Sequence, residues 1–183
     1  MDIRIIEANV AHAAAIATIG KRSFREAFGD LFTSKEELFE YLEKTYDPIK
    51  LTKSLKKGNN VYFLALLDEQ PVGFTKIKIN SLNENIESIA QMELQKIYVL
   101  PEHHGKKIGS ALLNEVKKLA AYIGPDYIWL DTHINNEKAI RFYEINGFRK
   151  VGKKFFTIGT QIFEYNVMGQ PVVVEQINAL QNF

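Results

Sequence analysis

The segment from Leu94 to Leu113 constrains the fold more than any other part of the chain. An apolar stretch typical of a buried strand leads through a short turn, with Gly105 and Gly109, into the clearest helical pattern of the sequence. The apolar residues at helical spacing are Ile108, Leu112, Leu113, Val116, Leu119 and Ala120. A buried strand that passes directly into an amphipathic helix predicts a layered fold in which the helix packs on a sheet.

The rest of the hydrophobic pattern divides the chain into a definite order of elements. Alternating or continuous apolar runs predict strands, and apolar residues three or four apart predict helices. The predicted order is a strand at 3–6, helices at 10–28, from Ser34 and from Asp47 to Gly58, strands at 61–67, 72–79 and 89–99, a helix from 108, a strand at 127–132, a helix at 136–145, and strands at 148–156 and 161–168. This order predicts an α/β or α+β fold, a mixed sheet with helices on both faces.

Length and charge predict one domain with no large charged footprint. The chain has 183 residues, which fits a single domain of roughly 100 to 200 residues, placed at 1–168 with a tail or arm at 169–183. The 23 Lys+Arg against 22 Asp+Glu argue against a nucleic-acid binder. The tail could pair across a homodimer, but a monomer fits the sequence equally well.

The absence of cysteine excludes several kinds of chemistry. With no Cys in the chain, there are no disulfides, thiolate metal sites or cysteine nucleophiles. The N-terminal residues lack the charged and apolar regions of a secretory signal, and no apolar run reaches the roughly 20 residues of a membrane helix. We therefore expect a cytoplasmic protein without a metal site that binds neither membrane nor nucleic acid.

The turn after the strand at 89–99 has the features of an anion site. The first amides of a helix are unpaired and carry the positive end of the helix dipole, so they attract phosphate. Gly105 and Gly109 leave room for a ligand, and Lys106 and Lys107 add positive charge. The spacing matches neither the P-loop nor the Rossmann fingerprint. An ordinary glycine turn with solvated lysines explains the same residues.

A second motif, from Asn136 to Phe148, decides between these interpretations. It has the form N-x-x-A-x-x-F-Y-x-x-x-G-F, and together with the turn it resembles the GNAT family of acyl-CoA-dependent N-acetyltransferases. The turn corresponds to that family's Q/R-x-x-G-x-G/A motif, starting at His104. The phrases SFREAF, ELQKIYV, WLDT and NNEKAIRFYEINGF look most like the bacterial polyamine (spermidine/spermine) branch. The chain departs from the motif at His104 and at Lys107, which replaces the central glycine; Lys107 could crowd the pyrophosphate or supplement its binding.

The resemblance implies a GNAT fold of about seven mostly antiparallel strands with splayed central strands, and acetyl-CoA as the cofactor. The pantetheine arm would pair with the backbone of Ile97, Tyr98 and Val99, near an amide that stabilises the oxyanion. The residues implied to bind the rest of the cofactor are His104, Gly105, Lys106, Lys107, Ile108, Gly109, Ser110, Asn136 and Tyr143. An N-cap of the following helix is the alternative role for Asn136.

The resemblance also implies the catalytic groups. Tyr143 would protonate the CoA thiolate, unless it is only a packed aromatic beside Phe142. An acceptor amine has a pKa near 10 and must lose a proton before it attacks. Glu93 is the predicted base, on the same strand face as Gln95, and a solvated strand carboxylate is its alternative. His133 is either a structural histidine or a second acid/base group.

The acceptor side is predicted to be acidic. Residues 26–43 contain six acidic residues and one lysine, with aromatic residues between them, which suits a polyamine. The residues predicted to bind the acceptor are Glu26, Phe28, Glu37, Tyr41 and Gln95. A solvated helix face explains the same charges.

The alternatives for function are acetylation of a peptide N-terminus or another small amine, and a non-catalytic acyl-CoA-binding regulatory module. Without cysteine, direct attack of the amine on the thioester is the simplest mechanism.

Overall fold

A single seven-stranded sheet organises the computed structural model, which describes residues 2–173. The strands are β1 (Ile3–Glu7), β2 (Asn60–Leu67), β3 (Gln70–Ile79), β4 (Gln91–Val99), β5 (Tyr127–His133), β6 (Arg149–Ile158) and β7 (Gln161–Pro171). Their order is β1-β2-β3-β4-β5-β7-β6, and only β4 and β5 run parallel. The predicted fold class and order of elements are confirmed. Because β7 continues to Pro171, the predicted tail is partly strand, and its residues 174–183 lie outside the described ones.

Within residues 2–173, five α-helices cover the two faces of the sheet. They are α1 (Ala13–Phe28), α2 (Lys35–Thr45), α3 (Pro48–Leu55), α4 (Ile108–Ile123) and α5 (Glu137–Ile145). A core around Ile16, Leu42 and Phe74 joins α1–α3 to one face, and a core around Met92, Val116 and Phe148 joins α4 and α5 to the other. Among residues 2–173, no helix combines the length and the apolar character needed to cross a membrane.

The start of α2 has the Ser34-x-x-Glu37 spacing of a capping box, but a tertiary contact takes up the Glu37 side chain. The Ser34 hydroxyl accepts a hydrogen bond from the Glu37 amide, as expected for an N-cap. The Glu37 carboxylate does not return to Ser34, so the capping box is incomplete. It instead accepts hydrogen bonds from the Thr160 amide and hydroxyl, at 3.1 and 2.9 Å. This contact ties α2 to the turn between β6 and β7.

Strands β4 and β5 separate soon after they begin. Their pairing is limited to Gln91–Glu93 on β4 and Tyr127–Trp129 on β5. Just beyond, Lys76 pairs with Lys96 and Ile77 pairs with Leu94, so Gln95 is an extra residue that forms a β-bulge. A bulge bends its strand and increases the local twist, which accounts for the gap that opens between the two strands.

Candidate active site

The gap between β4 and β5 opens into a cavity of about 830 Å³. Helices α1–α3, strands β2–β7 and helix α5 contribute to its wall. The predicted site residues that line it are Phe28, Glu37, Tyr41, Glu93, Gln95, Ile97, Tyr98, Asn136 and Tyr143. Glu26 is exposed and does not reach this cavity. Val99 and the turn residues 104–110 also lie outside its wall.

Glu93 is a buried carboxylate at the point where the strands separate. Its side chain is 8% exposed, and its Oε2 accepts a hydrogen bond from the Ser81 hydroxyl at 2.8 Å. The Gln95 amide donates to Oε1 at 3.3 Å, so the two side chains meet across the bulge. A carboxylate that is buried and oriented in this way is not the solvated strand residue considered as the alternative.

Tyr143 reaches the same cavity from the opposite face of the sheet. It lies on α5, and its ring packs edge-on against Phe142 and Phe148, with centroids 5.3 and 5.6 Å apart. Burial raises the pKa of the phenol above its ordinary value of 10, because a phenolate would be poorly solvated. The phenol therefore keeps its proton at neutral pH, and its ring is held firmly at the gap.

The turn before α4 has the open amides expected of an anion site. The first helical hydrogen bond runs from the Ala111 amide to the Lys107 carbonyl. Within residues 2–173, the amides of Ile108, Gly109 and Ser110 donate to no protein group. Gly105 has φ +77°, and a Cβ atom there would have no neighbour within 4 Å. The turn therefore offers unpaired donors and open space.

His104 and Val99 form a contact that the sequence did not predict. The Val99 carbonyl accepts hydrogen bonds from the Ser23 hydroxyl at 3.2 Å and, when His104 carries its proton on Nε2, from that ring at 3.0 Å. The Leu100 amide pairs with β3, and backbone groups of alternate residues face opposite strand edges. The backbone of Tyr98 therefore faces β3, whereas that of Ile97 faces the gap.

Lys107 has a left-handed backbone, with φ +62° and ψ +10°. This conformation crowds a Cβ atom and favours glycine. The family motif has its central glycine at this position. The left-handed backbone accounts for that glycine, and it makes the lysine conformationally strained. Lys107 is exposed and makes no capping hydrogen bond with its side chain, so its ammonium remains available to an anion.

Comparing Lys107→Gly with Lys107→Ala should separate the backbone cost from the charge. Both changes remove the ammonium, but only glycine removes the strain, so we expect the glycine variant to be about 1 kcal/mol more stable. If the ammonium supplements phosphate binding, both variants should bind CoA about three- to tenfold more weakly than the original chain. Urea unfolding and CoA titration measure the two effects. Tighter CoA binding by Lys107→Gly would instead support crowding.

Asn136 and His133 have structural partners. The Asn136 side chain accepts a hydrogen bond from the Ala139 amide at 3.2 Å and caps α5. His133 Nδ1 accepts from the Asn135 amide, and its ring packs near Phe28 and Tyr165. Burial lowers the pKa of His133, which keeps the ring neutral at neutral pH. The N-cap role of Asn136 and the structural role of His133 are thus visible, although both residues also line the cavity.

The charge of the acceptor side differs from the sequence expectation. Of the six acidic residues at 26–43, only Glu37 and Glu40 line the cavity, and the Glu37 carboxylate is engaged by Thr160. Glu43 forms an ion pair with Lys21 outside the cavity. Five lysines line the cavity: Lys44, Lys50, Lys76, Lys96 and Lys154. The predicted strongly acidic wall is therefore absent from the described cavity.

Lys76 and Lys96 are functional candidates that sequence reasoning missed. They are direct cross-strand partners on β3 and β4, and both are half-buried. Burial lowers the pKa of each ammonium to about 8, with the Glu93 carboxylate opposing that shift. The available signal is the presence of lysine inside two predicted strands, in the segments FTKIKI and ELQKIYV.

These two lysines should make stability rise with pH above neutrality. Below about pH 8 the folded and unfolded chains both hold the protons, whereas between pH 8 and 10 only the unfolded chain does, so the free energy of unfolding increases. Above about pH 10, buried tyrosines reverse the trend, because their folded pKa is raised. Urea unfolding at about pH 7.5 and 9.5 measures the slope. A Lys76→Met/Lys96→Met chain should lack the rise, and an unchanged slope would contradict this assignment.

The comparison with known families agrees with this geometry. Residues 23–148, from α1 to the end of the α5 motif, match the Acetyltransferase (GNAT) family. The chain belongs to the GNAT family. As a GNAT protein it is an acetyl-CoA-dependent N-acetyltransferase, and its acceptor is not specified by membership.

Relatives of this GNAT chain cover most of its length. An uncharacterized N-acetyltransferase of Lactobacillus delbrueckii subsp. lactis is 21% identical over 158 residues, 86% of this chain and 90% of the relative. Spermidine N(1)-acetyltransferase of Thermoplasma acidophilum is 26% identical over 153 residues, 81% and 89% of the two chains. The solved PaiA N-acetyltransferase of Thermoplasma acidophilum, in complex with coenzyme A, has a TM-score of 0.76 at 23% identity, covering 93% and 99%. The structural likeness confirms the fold.

The residues present fit the donor that a GNAT enzyme uses. Acetyl-CoA carries an extended arm between a thioester and a pyrophosphate. The open amides at the start of α4 and the space above Gly105 suit phosphate oxygens. The separated β4 edge at Ile97 suits the polar groups of the arm, since that edge lacks a paired strand. The gap between β4 and β5 leads from this edge into the cavity that holds Glu93 and Tyr143.

Proposed function

We propose that this protein acetylates the primary amine of a small acceptor by direct attack, with Glu93 as the base and Tyr143 as the acid. The observation that supports this most strongly is that a buried carboxylate and a buried phenol line one cavity at the gap between β4 and β5. Direct attack also suits a chain without cysteine, because no thiol is available to carry the acetyl group.

Glu93 would take the proton that the acceptor must lose. A primary amine is mostly protonated at neutral pH, so it requires a base that acts directly or through one water. The hydrogen bonds from Ser81 and Gln95 hold the Glu93 carboxylate in place. Each carboxylate oxygen can accept more than one hydrogen bond, so Glu93 retains capacity for the amine proton.

Tyr143 would supply a proton to the sulfur. Acetyl-CoA would supply a thioester, whose carbon–sulfur bond is replaced by the new carbon–nitrogen bond. The Tyr143 phenol would donate its proton to the sulfur that leaves. Burial keeps that phenol protonated until a strong acceptor forms beside it, and solvent restores its proton after the product leaves.

The cofactor would be held by groups on three elements. We assign its phosphates to the turn residues Gly105, Lys106 and Lys107 and to the first amides of α4, at Ile108, Gly109 and Ser110. The backbone of Ile97 and Val99 would pair with the arm, although His104 and Ser23 already occupy the Val99 carbonyl. In this arrangement His104 anchors the turn to β4, while backbone amides do most of the phosphate binding.

A polyamine is one candidate acceptor. The Thermoplasma relative named as a spermidine N(1)-acetyltransferase supports it, as do Glu37 and Glu40 on the cavity wall. Phe28, Tyr41 and Gln95 would contact the aliphatic part of any acceptor there. Lys76 and Lys96 oppose it, because a second ammonium beside these two lysines would meet like charges.

An acceptor screen tests the proposed function. The purified protein would be incubated with acetyl-CoA and spermidine, spermine, amino acids, aminoglycosides or peptides, with released CoA and acetylated amine measured together. We expect amine-dependent CoA release matched by an equal amount of acetylated product. CoA binding without acetylation of any amine would support a non-catalytic binding module instead.

A further inference from the structure

We propose that the inner wall of the cavity binds an anionic oxygen group, a carboxylate or phosphonate, carried by the same small molecule as the acceptor amine. The wall consists of Lys76, Lys96 and Tyr46, and we call it the lysine wall. Lys76 and Lys96 face each other on paired strands, and all three residues line the cavity. The inference rests on the proposed acetyl transfer, since it assigns the other half of the acceptor site.

The ammonium groups of Lys76 and Lys96 have no directly bonded anionic partner in the described part of the chain. Neither ammonium forms an ion pair or donates a hydrogen bond within residues 2–173, whereas the Lys154 ammonium pairs with Asp131 at 2.8 Å. The Glu93 carboxylate raises the pKa of both lysines, but its single negative charge can offset only one of the two positive charges. The lysine wall therefore carries more positive charge than the protein neutralises.

Aromatic rings offset only part of the cost of removing the Lys76 and Lys96 ammonium groups from water. The Lys76 Nζ lies 5.6 Å from the centre of the Tyr62 ring. The Lys96 Nζ lies 5.4 Å from the centre of the Tyr46 ring and 5.9 Å from that of Tyr98. A cation–π contact is weaker than the penalty for removing an ammonium group from water. An anion from a ligand would supply the missing attraction.

Tyr46 adds an independent sign of a missing ligand. Its side chain is 0% exposed, and its hydroxyl lies close to the Tyr98 phenol but forms no hydrogen bond of good geometry with any of residues 2–173. Buried hydroxyl groups are normally paired. A Cβ atom at Gly20 would lie 2.2 Å from the Tyr46 ring, so the absence of a side chain at Gly20 lets the ring occupy this site. The Lys96 ammonium lies over the Tyr46 ring, and both side chains line the cavity, so one oxyanion could accept hydrogen bonds from both.

The distance between Glu93 and Lys96 favours a short acceptor. Glu93 and Lys96 are three residues apart on β4, roughly 10 Å along a strand, and the lysine side chain is long enough to shorten that distance. An amine at Glu93 and an anion at the lysine wall can therefore belong to one small molecule. A polyamine in this position would place its second ammonium against Lys76 and Lys96, which is repulsive.

Calorimetric titration of the full-length protein with CoA bound tests this proposal without requiring turnover. The probes are γ-aminobutyrate, aminopropylphosphonate and putrescine, which are matched in chain length. We expect at least one anionic amine to bind about tenfold more tightly than putrescine, and the better of the two identifies the oxyanion. Lys76→Met and Lys96→Met should each weaken that binding about tenfold and leave putrescine binding unchanged or stronger.

Lys117→Met is the matched control. Lys117 is a partly buried lysine on α4 whose pKa burial also lowers, but it lies outside the cavity, so its loss should not change binding of any probe. CoA affinity checks that the variants are folded. Equal or tighter binding of putrescine, no binding of any probe, or an unchanged preference in both cavity variants would overturn the proposal. Binding of γ-aminobutyrate with no acetylation of any amine would instead contradict the proposed function and leave the lysine wall supported.

Discussion

Replacing Tyr143 with phenylalanine is expected to lower kcat by about two to three orders of magnitude, the scale of a lost general acid. The change removes one oxygen atom and keeps the ring that packs against Phe142 and Phe148. We therefore expect the Michaelis constant for acetyl-CoA and the free energy of unfolding to change little. Steady-state kinetics with varied acetyl-CoA, together with urea unfolding, measures these quantities.

Tyr127→Phe is the control for this substitution. Tyr127 lies on β5 outside the main cavity, so its hydroxyl should be dispensable for turnover. Unchanged kcat in Tyr143→Phe would show that Tyr143 is only a packed aromatic. A loss of activity in Tyr143→Phe that is accompanied by weak CoA binding would assign the residue to binding rather than to proton transfer.

Glu93→Gln is expected to lower kcat/KM for the acceptor about a hundredfold at neutral pH. Glutamine has nearly the same shape and can still accept the hydrogen bond from Ser81, but it cannot take a proton from the amine. The acceptor then depends on solvent for deprotonation, so activity should recover as the pH approaches the amine pKa of about 10. The measurement is the pH dependence of kcat/KM for the original chain and the variant.

The pH profile distinguishes a base from a structural carboxylate. A purely structural role for Glu93 would lower activity by a similar factor at every pH, and full activity at neutral pH would rule out the base. Glu87→Gln is the control, because Glu87 is an exposed loop carboxylate outside the main cavity. Its pH profile should match that of the original chain.

The fold was predictable because its signals are local. Hydrophobic periodicity places β5 and α4, while Gly124 and Pro125 mark the break between them. These features act over a few residues, so the chain shows them without tertiary information. The extent of β7 and the contact of Glu37 with Thr160 were not predictable, because they depend on elements that are far apart in sequence.

The candidate site was only partly predictable for a related reason. Motifs identified Tyr143 and the turn at Gly105, whose positions follow from local backbone geometry. The pairing of Lys76 with Lys96 depends on strand register and on the bulge at Gln95, which no local pattern specifies. The number of acidic residues in 26–43 was misleading because residues that are close in sequence point to different sides of α1 and α2. Local charge therefore did not predict the charge of the cavity.

The most direct test of the central claim is the initial-velocity pattern with acetyl-CoA and the best acceptor varied together. Direct transfer requires both substrates to be bound at once, so double-reciprocal lines should intersect, and acetylated amine should equal released CoA. Parallel lines would indicate an acetylated enzyme, and CoA release that does not depend on an amine would indicate hydrolysis. Either result would contradict direct acetyl transfer in the cavity between β4 and β5.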